Sequence, residues 1–151
     1  MDDRMTGLLG MVRSMREHFD PLPPVALWRQ VGGEHFNIAI LPGDAHEGTI
    51  AEQCADLRRL AAPTEWFALV MDTYARDGGR DDAPPDMAAL EEAFLAGDPA
   101  VVEQVVTILW PKEERPAMAW QVYRWTPVDG WEWDAPVTAT PEQMLSSVVW
   151  L

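Results

Sequence analysis

Between Glu103 and Asp134 the apolar positions fall into three short runs, EQVVTILW, PAMAWQVYRW and WEWD, separated by turn residues. Valine, isoleucine and aromatic side chains suit a pleated, half-buried surface. In the first run Val106, Ile108 and Trp110 share one side, and Val105, Thr107 and Leu109 the other. Two apolar sides predict an interior strand covered on both faces. Pro111 ends it, because proline cannot donate to a ladder, and PKEER becomes a hairpin loop. The second run puts Met118, Trp120 and Val122 on one side and Ala119, Gln121, Tyr123 and Trp125 on the other. Pro127-Val128-Asp129-Gly130 is a turn. Beyond it Trp131 and Trp133 share a side, opposite Glu132 and Asp134.

The same pattern extends to both ends. Residues 4–19 carry Met5, Leu8, Leu9, Met11, Val12, Met15 and Phe19 near one helical stripe, with Arg4, Arg13 and Arg16 set elsewhere. Asp20-Pro21-Leu22-Pro23-Pro24 ends that helix as a stiff connector. Val25–Val31 and His35–Leu41 read as a hairpin about Gly32-Gly33, with Phe36, Ile38 and Ile40 turned to the core. Thr49-Ile50-Ala51-Glu52 is a capping box. It opens a helix to about Ala62 whose buried stripe is Ile50, Cys54, Leu57, Leu60 and Ala61. Trp66–Arg76 reads as a strand, with a Thr64-capped helix as the rival. Residues 77–85 form an acidic loop, and Asp86–Ala96 a helix stopped by Gly97. Thr140-Pro141-Glu142-Gln143 starts a last helix. The expected fold is one α+β domain over residues 1–151. Its mainly antiparallel sheet has about six strands, with helices on one face and a terminal helix at each end.

Composition narrows the function classes. A formal charge of −14 argues against direct binding to nucleic acid or anionic lipid, which needs a basic footprint. No apolar run is long enough for a membrane helix. The acidic N-terminus lacks the basic region and apolar stretch of a secretory signal. Cys54, the one cysteine, fits a reducing compartment. Together these predict a cytoplasmic protein.

The candidate chemistry is thin. Asp44, His46 and Glu47 are possible metal ligands, but crowd into four residues without the usual spacing. The serines, Ser14, Ser146 and Ser147, lie in no nucleophile elbow. Cys54 sits on an apolar helical stripe and reads as an inert core thiol. Asp72 interrupts an apolar strand, so burial would perturb its pKa; an outward-facing residue is the commoner outcome. A hydrolase built on Asp72 and His35 is the one enzymatic alternative. No catalytic, metal or cofactor site is assigned.

Charge density stands out instead. From Asp77 to Glu103 there are eight acidic residues and one basic, a net charge of −7. Asp77, Asp81, Asp82, Asp86, Glu91 and Glu92 are expected to form a docking face for a basic protein partner. Trp125, Trp131 and Trp133 are the other candidate contacts, since tryptophan is enriched at binding hot spots. The expected function is that of an acidic interaction or regulatory accessory protein. The alternatives are a virion or assembly protein, self-associating through its terminal helices, and a nucleic-acid mimic that inhibits a DNA-binding protein. The cadence EWFALVMDTYAR, then GDPAVVEQVVTILW, then WEWDAP is similar to small proteins of unassigned function from GC-rich bacteria and their phages. It spans about residues 62–136 and implies a phage or mobile-element origin, with no functional residue attached.

Overall fold

The computed structural model describes residues 3–42, 49–76 and 87–139. In chain order the elements are α1 (Asp3–His18), β1 (Val25–Gln30), β2 (Phe36–Ile40), α2 (Ile50–Ala61), β3 (Thr64–Arg76), α3 (Met87–Leu95), β4 (Val101–Pro111), β5 (Ala117–Thr126), β6 (Gly130–Trp133) and β7 (Val137–Thr138). The protein is α+β. Its strands form one antiparallel sheet in the order β2-β1-β3-β4-β5-β6, with the short β7 also paired to β5.

The expected meander is β4-β5-β6. Pro111 is the last residue of β4, and Gly130 takes the positive φ of 70° that opens β6. The 66–76 segment is strand, not helix, and pairs along its length with β4. Thr49 caps α2 by accepting the Glu52 N–H at 3.1 Å. Gly97, at φ 86°, follows α3 and stops it. The last helix expected, from Thr140, and the loop carrying Asp77, Asp81, Asp82 and Asp86 lie outside the described residues.

Helices cover both faces rather than one. α1 packs Met5, Leu8, Leu9 and Val12 on Val25, Leu27, Ala68, Val70, Val105 and Leu109. α2 packs Cys54 and Ala61 on Ala26, Phe67 and Leu69, on the opposite side. The reason is legible in β1 and β3: both parities are apolar, so each face needs a cover. α1 thus has its apolar stripe buried against its own sheet.

Three apolar expectations are overturned. Phe19, placed on the stripe of the first helix, follows the last residue of α1 and is 57% exposed. Leu60, assigned to the buried stripe of α2, is 82% exposed. It lies on the helix flank that turns away from the sheet. Phe36, Ile38 and Ile40, expected in the core, are 49%, 56% and 66% exposed. Strand β2 is the sheet edge, and the α1 layer covers β1, β3, β4 and β5 without reaching it.

Candidate functional site

Where α1 ends over the sheet, ionisable groups are drawn together. Asp72 on β3, Glu103 on β4 and Tyr123 on β5 face α1, since Val105 pairs with both Asp72 and Gln121 and Glu103 with Tyr123. Arg16 descends from α1 among them. Its Nε lies 2.9 Å from Asp72 Oδ2 and donates to the Tyr123 hydroxyl at 2.9 Å. Tyr123 in turn donates to Asp72 Oδ1 at 2.6 Å. The Arg16 Nη1 donates to the Phe19 carbonyl at 2.9 Å, and Nη2 lies 3.6 Å from Asp20. The guanidinium is also 5.0 Å from both the Tyr123 and Trp131 ring centres. Side-chain exposure is 8% for Arg16 and 15% for Asp72.

The electrostatics follow from that burial. Desolvation pushes the Asp72 carboxyl upward, opposed by the Tyr123 hydroxyl and the Arg16 guanidinium. Glu103 is raised by burial and by Asp72 beside it. Tyr123 is raised far above an ordinary phenol, by burial and by its bond to Asp72. A phenol so stabilised in its neutral form gives no phenolate near neutral pH. Arg16, Asp72 and Tyr123 use their polar atoms on one another, so the cluster works as a clasp between helix and sheet.

Asp72 is therefore inward-facing. His35 is not its partner: Phe36 aligns with Arg29 and Arg29 with Trp66, which puts His35 level with the start of β3. At about 3.3 Å per residue, roughly 20 Å of strand separates it from Asp72, so the Asp72–His35 hydrolase is ruled out. Among the described residues no group of three or more His, Cys, Asp or Glu is placed to hold a metal ion. Cys54 is buried, with its thiol pushed up to about 11 by desolvation.

The tryptophans divide. Trp131 and Trp133 are half-buried, stack on each other and pack against the α1 core. Trp133 also donates Nε1–H to Glu17 at 2.9 Å. Trp125 is 56% exposed. Register places it at the same end of the sheet as α3: Arg76 pairs with Val101, Glu103 with Tyr123, and Trp125 with Trp131. Glu91 and Glu92 are exposed on α3, and Glu17, Asp20, Asp129, Glu132 and Asp134 are exposed at this same end. Among the described residues there, Arg13 bonds Gln121 at 2.7 Å, Arg16 is in the clasp, Arg76 pairs with Asp98 at 3.4 Å, and Arg124 with Asp134 at 2.9 Å.

The opposite end has a different character. A cleft of about 460 Å³ between α2 and the sheet is lined by Arg58, Arg59, Thr64, Trp110 and Lys112, among others. Its two arginines already serve the fold. Arg58 stacks 4.2 Å over Trp110, and Arg59 pairs with Asp56. Both lie in the last turn of α2, where cations complement the helix dipole.

Comparison with protein-family models, with curated proteins and with solved structures finds no match. No helix among the described residues is long and apolar enough to cross a membrane.

Proposed function

We propose that this protein is an acidic interaction or regulatory accessory protein of the cytoplasm, which docks a basic protein partner on the anionic end of its sheet and performs no reaction of its own. One observation carries the reading. Exposed carboxylates on α3, at the α1 terminus and on the β5-β6 hairpin collect at one end, around an exposed Trp125. A one-signed surface steers an oppositely charged partner and fixes its approach. A large aromatic in its midst supplies the apolar anchor that charge alone lacks. The inward-facing Asp72 and Tyr123 bond to Arg16 and to each other, so their polar atoms are used in holding α1 to the sheet, which supports a reading without catalysis.

The test is capture from the native host extract at low salt, with wild type beside a Glu91→Lys/Glu92→Lys/Trp125→Ala variant. All three positions are exposed, so the variant folds. A basic protein held by the wild type, released by salt and lost by the variant is expected. Equal recovery by both proteins contradicts the reading.

A further inference from the structure

The exposed row on β2 has a second use. We infer that two copies of this chain join edge to edge through β2, antiparallel about a two-fold axis at Ile38, into one continuous sheet.

The backbone directions support this. Leu41 donates its N–H to the Pro24 carbonyl at 2.9 Å, so odd-numbered residues of the second strand turn their main-chain groups toward β1. Alternation then turns the N–H and C=O of Phe36, Ile38 and Ile40 outward, at the open edge. The register with β1 is unbroken over these residues, so no bulge twists the edge away. Nor is the strand protected by charge or proline. Residues 35–42, HFNIAILP, contain no Asp, Glu, Lys or Arg, and Pro42 falls beyond the strand. Natural edge strands are ordinarily blunted by such devices.

A second copy fits this edge better than an unrelated strand does. Antiparallel pairing about Ile38 sets Ile38 against Ile38 and Phe36 against Ile40, with Asn37 against Ala39 on the other face. Every cross-strand pair is then uncharged, and Phe36, Ile38 and Ile40 each meet an apolar side chain. The six outward-pointing residues would exchange roughly six main-chain hydrogen bonds. Both apolar rows fall on the face that carries α1, beyond the reach of that helix, so each row would be covered by the partner row. In a chain of charge −14, two copies repel wherever carboxylates meet, and this neutral stretch is where they can approach. The exposed parts of the three side chains amount to roughly 100 Å² each. Doubled by symmetry and joined by the strand backbone, that area belongs to the small, reversible class of interface.

The inference is independent of the anionic docking surface, which lies on other elements. Its test uses two variants at exposed positions. Across a hydrogen-bonded antiparallel pair the Cα atoms are about 5.5 Å apart, within disulfide reach. Under mild oxidation Ile38→Cys should form a covalent dimer, while Asn37→Cys, whose symmetry mate is out of register, should not. In sedimentation equilibrium the wild type should show a concentration-dependent dimer, weakened about tenfold or more by Ile38→Lys. A wild type that stays monomeric at its highest soluble concentration overturns the inference. So does cross-linking that is equal at positions 37 and 38, or a dimer that Ile38→Lys leaves unchanged. Protection of the outward Phe36, Ile38 and Ile40 amides from hydrogen exchange in a monomer would assign the edge to another segment of the same chain, and would also overturn it.

Discussion

Replacing Arg16 with methionine should remove the clasp while keeping an apolar stem at that buried position of α1. What remains is Asp72, 15% exposed and supported only by the Tyr123 hydroxyl. Removing one partner of a buried ion pair costs about 3–5 kcal/mol, chiefly because the other charge is stranded. The ring contacts to Tyr123 and Trp131 add about 0.5–2 kcal/mol each. For a domain whose total stability is about 5–15 kcal/mol, Arg16→Met should fold but unfold at much lower urea. Tryptophan fluorescence reads this well, because Trp131 and Trp133 pack beside the clasp. Two further measurements isolate the cause. Asp72 without Arg16 takes up a proton more readily, so the deficit should shrink as pH falls from 7 to 5. The Arg16→Met/Asp72→Leu double variant should be less destabilised than the two single losses sum to. A single variant within about 1 kcal/mol of wild type, or losses that simply add, would refute the clasp.

Other outcomes follow from single side chains. Burial raises the Cys54 thiol from its ordinary value near 9 to about 11, so the unfolded chain loses that proton first. Stability present below pH 9 should therefore fall by about 2 kcal/mol as pH rises to 11. Cys54→Ala should flatten this slope, and parallel curves for the two proteins would contradict the assignment. Thr107 Oγ1 is buried with no hydrogen-bond partner among the described residues. Thr107→Val should leave thermal stability unchanged or raise it by about 1–2 kcal/mol, and a loss would show that the hydroxyl has a partner.

Most of the fold was legible because periodicity and turn chemistry agree along the chain. The meander, the Thr49 cap and the Gly97 stop all follow from local residues. β2 failed for a non-local reason: alternation identifies an apolar side, and only the strand order says whether a helix reaches it. Residues Phe36, Ile38 and Ile40 have a core pattern and an edge position. The clasp was half legible. Asp72 was visible as a charge within an apolar strand. Arg16 was missed, although it continues the Met5, Leu9, Val12 spacing and so lies on the buried stripe of α1. A charge on a helix stripe and an opposite charge inside a strand are the signal for such a pair. The Trp125 exposure could not be read from alternation either, since Tyr123 and Trp125 share a side and only Tyr123 lies beneath α1.

The most direct test of an anionic docking end is photo-cross-linking in the native host. A cross-linking amino acid would be placed in turn at Glu92 and Trp125, and at Arg59 and Lys112 on the opposite end. Adducts to a basic protein from positions 92 and 125, and none from 59 and 112, are predicted. Adducts from 59 or 112 alone, or from none of the four, would contradict it.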